Sequence, residues 1–300
     1  MKYGIFGGAV NGGTVDDVVA EARSAEADGF TSYWAPNIFG HDALTCLAIV
    51  GREVPRIELG TSVVPTYPRH PHAIAQQCHT VAAASGNRLT LGIGLSHKIV
   101  IENMLGMSYD KPVRHLREYL SVLMPISRGE TAHFDGQDYR VHARVDAKGS
   151  AGFGVVVAAL GEQMLRVTAA MADGTLTWCT GPATLSGHTI PTITRAAEEL
   201  GRPAPRVIAA LPVCVTTDKA AAERAAQVFA VYGTLPSYRA MLDKEGAAGP
   251  ADIAITGSVA EVQDRVAALA GIGVTDFAAV EFGGTPDEVA ETRAALKGLL

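Results

Sequence analysis

The sequence predicts an α/β protein of the (β/α)8 TIM-barrel class, enlarged by insertions. Two observations carry that expectation. Short apolar runs with strand character alternate with longer stretches of helical period, which is the mark of repeated βα units around a parallel sheet. Eight such runs can be read, and eight is the barrel number. In order they are KYGIFGG (2–8), TSYWAP (31–36), RIELGTSVV (56–64), NRLTLGIG (87–94), FGVVVAAL (153–160), GTLTWCT (174–180), RVIAALPVCV (206–215) and TDFAAVEF (275–282). Runs such as VVVAAL and VIAALPVCV are apolar at nearly every position, as strands covered on both faces are. The 300 residues suit one α/β domain over positions 1–300, since such barrels commonly reach about 250 residues as a single unit.

Between the strands, Val113, Leu116, Leu120 and Leu123 fall on one helical stripe, and Val259, Val262, Val266 and Leu269 repeat the spacing; both stripes are expected to pack on strands. Ser258 with Glu261, and Thr285 with Pro286 and Glu288, read as capping boxes. Two segments interrupt the repeat. Residues 131–150 contain a hairpin pattern around Asp135-Gly136, and residues 218–250 form an Ala-rich helical region broken near YGTLPSY. Both are expected to follow strands as insertions.

Composition removes several classes. The chain is 48% hydrophobic and 19% charged, a globular balance, and no run approaches the roughly 20 apolar residues of a membrane span. The start MKYGIFGGAVNGG lacks the apolar core and cleavage site of a signal peptide, so a cytoplasmic location is expected. With 25 basic and 31 acidic residues and no basic block, nucleic acid is not an expected partner. Cys46, Cys78, Cys179 and Cys214 lie far apart, form no CxxC pair and read as small buried hydrophobes. A dinucleotide-binding sheet would carry GxGxxG at its first turn; GIFGGAVNGG has the wrong spacing, and GIGLSH stands at the fourth strand. GxSxG and HExxH are absent, so a hydrolase is not expected.

In a βα barrel, chemistry gathers where the strands end, so polar residues there carry functional weight. The exits hold Asn37 and His41 after the second strand, Ser62 to His70 around the third, Ser96 to Lys98 after the fourth, Gly161 to Gln163 after the fifth, and Trp178 to Thr180 after the sixth. Gly60 inside the third strand suggests a bulge or a close approach to a ligand, and Pro65, Pro68 and Pro71 stiffen its exit, with Pro71 placed to start a helix. A plain rigid connector explains these residues as well. His70 and His72 have no carboxylate or cysteine at ligand spacing, so no metal is expected. Ser96, His97 and Lys98 before one helix, and Gly161 before another, stand where free backbone N–H groups favour an anion, although a tight turn accounts equally for Gly161. Trp34 and Trp178 suit either the core or the lining of a flat pocket.

The stretch GTSVVPTYPRHPHAIAQQCHTVAAASGNRLTLGIGLSH, together with FTSYW, ADGTLTWCTG and ITGSVAEVQDRVAALAGIGVTDFA, resembles the luciferase-like monooxygenase superfamily. It is closest to the branch using coenzyme F420, an 8-hydroxy-5-deazaflavin. The resemblance covers nearly the whole chain. It implies a dimeric barrel with the cofactor across the mouth, and a non-prolyl cis peptide at Ser62-Val63 in the third strand that bulges, with Thr61, against the ring. It also implies that Gly94, Ser96, His97, Ala159 and Gly161 border the ribityl and phosphate groups, with Trp178 and Thr180 along the same cleft.

The chain departs from the family after the second strand, where Asn37-Ile38 replaces the usual Asp-His. Isoleucine cannot move a proton, so Asn37 is expected to orient the cofactor, and His41, Tyr67 and Tyr109 are the remaining candidates for acid/base work. The resemblance, with that departure, implies an F420-dependent oxidoreductase reducing an activated C=C or C=N bond in a small organic substrate. The alternatives are an FMN-dependent monooxygenase of the same fold and a cofactor-binding protein without turnover.

Overall fold

The computed structural model describes residues 1–218 and 220–300. Eight parallel strands close into a barrel: β1 (Lys2–Phe6), β2 (Ser32–Ala35), β3 (Glu58–Thr61), β4 (Leu89–Gly94), β5 (Gly154–Val157), β6 (Gly174–Trp178), β7 (Arg206–Val215) and β8 (Asp276–Glu281). Closure is made by β8, which pairs with β7 on one side and with β1 on the other, Lys2 standing opposite Asp276. Each of the eight expected runs supplies one strand. The surrounding helices are α1 (Val15–Asp28), α2 (Ala43–Glu53), α3 (Pro71–Ala84), α4 (Pro112–Ser127), α5 (Glu162–Met171), α6 (Ile190–Glu199), α7 (Val259–Gly271) and α8 (Pro286–Lys297).

The apolar stripes face as their spacing requires. Leu116, Leu120 and Leu123 of α4 and Val262, Val266 and Leu269 of α7 are buried, whereas Val113 and Val259 lie at the edges of their stripes. Ser258 and Glu261 form a reciprocal capping box. At α8 only half of one forms: Thr285 accepts from the Glu288 amide, but the Glu288 carboxylate turns to the Gly284 amide and to Arg224. Pro71 opens α3, and the His70 ring accepts from the His72 amide at 3.2 Å, so this histidine pair serves a helix start.

The hairpin expected at 131–150 is present as Ala132–Asp135 paired with Arg140–Ala143, but it follows helix α4 and not a strand. Its two turn residues are Gln137 and Asp138, two positions past Asp135-Gly136, because the Gly136 amide donates to the Tyr139 carbonyl at 2.8 Å. Residues Gln137, Asp138 and Tyr139 donate their amides to the Glu118 carboxylate of α4, and a side chain at Gly136 would collide with that carboxylate at 2.4 Å. The second insertion folds as helices Ala220–Val228, Ala230–Thr234 and Pro236–Glu245 between β7 and α7, with its break at Leu235. All four cysteines are free and buried.

Inside the barrel, Trp34 packs with Val156, Leu176, Ile208, Ala210 and Ala278. Trp34 is fully buried, and a Cβ at Gly60 would stand 2.2 Å from its ring. Gly60 therefore makes room for a core tryptophan and not for a ligand, and Trp34 lines no pocket. Below it, at the N-terminal end of the barrel, Arg206 bonds both Asp276 oxygens at 2.6 and 2.9 Å and Glu58 at 3.1 Å, with its guanidinium 5.5 Å from the Trp34 ring. This end of a βα barrel carries stability. A hollow of about 250 Å³ lined by His79, Arg128, Arg144 and Ser150 lies on the same side, away from the strand exits.

Candidate active site

The site is built around a break in β3. Gly60 faces Thr90 and Val64 faces Ile93, so β3 spends one more residue than β4 over the same stretch, which defines a bulge at 61–63. The peptide bond between Ser62 and Val63 is cis, and pairing resumes at Val64–Pro65. A bulge leaves backbone groups of the neighbouring strand without partners. Here the fully buried Thr61 hydroxyl replaces them, donating to the Gly92 carbonyl at 2.8 Å and accepting from the Gly92 amide at 2.9 Å. Only glycine fits opposite, because a Cβ at Gly92 would stand 2.0 Å from the Thr61 carbonyl oxygen.

The bulge delivers Val63 to the top of the inner core, beside Phe6 and Trp178. Gly94 keeps that place clear, since a Cβ there would meet Val63 at 2.6 Å. The Ser62 hydroxyl and the Trp178 indole N–H are both buried and make no hydrogen bond within 3.5 Å among the described residues, the Tyr232 hydroxyl being the polar neighbour of the indole. Buried polar atoms left this way cost about 1–3 kcal/mol each, which favours a ligand that supplies the missing bonds.

After β4 the chain turns sharply at Ser96, a non-glycine residue at φ 58°, and its carbonyl accepts from the Tyr109 hydroxyl at 3.4 Å. His97 follows, and burial pushes its pKa down, so it is neutral at pH 7. After β5, Ala159 is fully buried, with its amide bonded to the Val157 carbonyl; its backbone lies under the site surface. Gly161 caps α5 at φ −77°, and a side chain on it would meet only open space, so neither turn geometry nor packing demands glycine there. Gly161, Glu162 and Gln163 are all exposed at the start of α5. His188 donates from Nε2 to the Leu160 carbonyl at 3.0 Å and braces this exit.

Asn37 accepts from the Ala43 amide at 3.0 Å through Oδ1, which holds the head of α2 and leaves its NH2 end uncommitted among the described residues. His41 is exposed, donates from Nε2 to the Gly13 carbonyl at 3.1 Å, and its amide bonds the Val10 carbonyl. It ties the first and second exits together. Tyr67 lies flat on His115, 3.9 Å between ring centres and 1° between planes, with Tyr109 stacked 5.1 Å away. The Thr66 hydroxyl bonds His115 Nε2 at 2.9 Å, and burial pushes the His115 pKa down to about 4. Burial raises the Tyr67 and Tyr109 phenols, so both stay protonated at neutral pH: they are donors, not bases.

A wall from the second insertion closes one side, and its aromatic residues are ones the sequence did not single out. Phe229 and Tyr232 stand edge-on to Trp178 at 5.4 and 5.6 Å, and Tyr238 reaches both Tyr232 and His97 at 5.1 and 5.6 Å. Glu245 fastens the wall by accepting from the Ala183 and Thr184 amides at 3.0 and 2.6 Å. The aromatic spacing in FAVYGTLPSY was the one available signal, but nothing local says which strand it covers. Among the described residues, no group of three or more His, Cys, Asp and Glu is arranged to hold a metal ion, and no helix is long and apolar enough to cross a membrane.

The site thus combines a bulged third strand, a glycine-bearing fourth strand and an exposed start of α5 at one mouth of the barrel. A sequence model of the family described as luciferase-like monooxygenase matches residues 1–300, and the chain belongs to that family. It is similar to an F420-dependent glucose-6-phosphate dehydrogenase of Nocardia farcinica, 28% identical over 201 residues that make up 62% of this chain and 58% of the relative. Among solved structures, an F420-dependent secondary alcohol dehydrogenase in complex with an F420-acetone adduct shares the fold at a TM-score of 0.84, with 16% identity over 100% of this chain and 99% of that one. The oxygenating constituent of 3,6-diketocamphane monooxygenase from Pseudomonas putida, a type II Baeyer-Villiger monooxygenase in complex with FMN, matches at a TM-score of 0.76, with 16% identity over 99% and 96% of the two chains.

Proposed function

We propose that this chain is a coenzyme F420-dependent oxidoreductase that reduces an activated C=C or C=N bond in a small organic substrate. The observation that carries the reading is the bulge at Thr61–Val63 with two buried polar atoms, Ser62 Oγ and Trp178 Nε1, that make no hydrogen bond within 3.5 Å among the described residues. A flat heterocycle with carbonyl and ring nitrogen atoms fits that donor and acceptor set. When bound, the reduced deazaflavin supplies a hydride, and the product is completed by a proton from water or from a protonated phenol.

The chain's own groups bind and orient. Val63 would support the ring, the Asn37 NH2 would reach its carbonyl edge, and Ser62 and Trp178 would bond its polar rim. Gly94, Ser96 and His97 would line the ribityl chain, and the α5 amides at Gly161 would take an anionic group. Trp178, Tyr232 and Tyr238 exclude water from one side. His41, bonded to the Gly13 carbonyl, would hold the first and second exits in place beside Asn37. Two copies of the chain and a cytoplasmic setting complete the proposal.

An FMN-dependent monooxygenase is the second reading, favoured by the shared fold with the FMN-bound structure. Titration of the purified protein with each cofactor, followed by quenching of Trp178 fluorescence, separates the two. F420 is expected to bind at least tenfold more tightly than FMN. Tight FMN binding with negligible F420 affinity would replace the first reading with the second.

A further inference from the structure

We propose that the substrate is an uncharged, largely apolar molecule and not a phosphorylated sugar, and that it is held by two apolar lips of the barrel mouth. This rests on the oxidoreductase reading above and names the substrate class for the same site.

Thirteen large hydrophobic side chains are substantially exposed among the described residues, and six of them stand on just two strand exits. Ile38 and Phe39 follow β2; Ile99, Met104, Leu105 and Met107 follow β4. Phe39 is 69% exposed and Met104 59%, values at which each gains from covering by an apolar ligand. Both exits are pinned to the third, which lies between them. Arg69 pairs with Asp42 at the head of α2, and Tyr67 stacks on Tyr109, whose hydroxyl bonds the Ser96 carbonyl. The lips therefore flank the bulge that would seat the cofactor.

Three of the cations near the lips are already paired with carboxylates. Arg69 is engaged by Asp42, Lys98 lies 3.7 Å from Glu102, and Arg114 lies 2.8 Å from Asp138. Lys111 is exposed at the start of α4, past the apolar run. A phosphate dianion laid between Phe39 and Met104 would lose hydration without a partner, whereas each methylene removed from water gains about 0.8 kcal/mol, roughly fourfold in affinity.

The reaction balances as one hydride from reduced F420 to the electrophilic carbon and one proton from water to its neighbour or to nitrogen, with F420 released oxidised. The test uses the full chain, reduced F420, and two series: 2-cyclohexenones and cyclic imines carrying alkyl chains of increasing length. F420 affinity is measured first by titration. The expected result is a kcat/KM that rises at least tenfold across four added methylenes in one series. Phe39→Ser and Met104→Ser should each flatten that rise by half or more while F420 affinity stays within twofold. Turnover independent of chain length, no turnover of either series with F420 bound, or preferred turnover of glucose 6-phosphate would overturn the inference. So would a Phe39→Ser variant that converts a dimer to a monomer and leaves the chain-length dependence intact, which would assign the lips to a second copy. Failure of F420 to bind appears in the titration and removes the underlying reading itself.

Discussion

Arg206→Met is expected to lower the unfolding free energy by about 3 kcal/mol without moving the candidate site. The guanidinium is the shared cation of two carboxylates, Asp276, whose side chain is 4% exposed, and Glu58, at 21%. Removing one partner of a buried pair leaves uncompensated charge, which costs about 3–5 kcal/mol; the partial exposure of Glu58 places this case at the lower end. Methionine keeps the stem that packs near Trp34, so lost volume contributes little. Urea denaturation followed by circular dichroism measures the loss. Adding Asp276→Asn to Arg206→Met should recover part of it, because the orphaned charge is then gone. Equal stability of Arg206→Met and the parent chain would show that the network is decoration. The same variant should keep F420 affinity within about twofold, since Arg206 stands at the opposite end of the barrel from the exits.

Thr61→Val should have the opposite profile at the site: a stability loss of about 2–4 kcal/mol together with a fall in F420 affinity of tenfold or more. Valine matches threonine in shape but removes the hydroxyl that satisfies both backbone groups of Gly92. Each buried orphan costs about 1–3 kcal/mol, so the β3–β4 seam must either bear both or close the bulge by shifting register. Either outcome moves Val63. Thr61→Ser retains the hydroxyl and should stay within about 1 kcal/mol of the parent, with near-parental F420 affinity. If Thr61→Val bound F420 as tightly as Thr61→Ser, the hydroxyl would have no part in shaping the site.

The strands were legible because their residues answer to a local rule. VVVAAL and VIAALPVCV are covered on both faces, so apolarity runs without alternation, and each became a barrel strand. The Ser258 cap was legible for the same reason, since both partners lie within one turn. The hairpin shows where local rules stop. Asp135-Gly136 marks a turn, but its glycine answers to Glu118 on another element, and the two residues that make the turn are Gln137 and Asp138. Gly60 likewise answers to Trp34 across the sheet.

At the candidate site, the exits themselves followed from barrel topology, whereas the roles within them depended on distant partners. Ser62-Val63 came from the family resemblance, while the hydroxyl of Thr61 that makes the bulge affordable could be seen only against Gly92. The aromatic wall was hidden because its packing partner, Trp178, lies more than fifty positions earlier than Tyr232 in the chain. His115, between Tyr67 and Tyr119, was missed because a histidine on an amphipathic helix reads as an ordinary core position.

A crystal structure of the protein soaked with oxidised F420 tests the central claim most directly. The deazaflavin ring should lie on Val63, with Ser62 Oγ and Trp178 Nε1 each bonded to the ligand and the phosphate at the α5 amides. A ring bound elsewhere, such as the hollow beneath the hairpin, or a mouth in which both polar atoms stay unbonded, would contradict it.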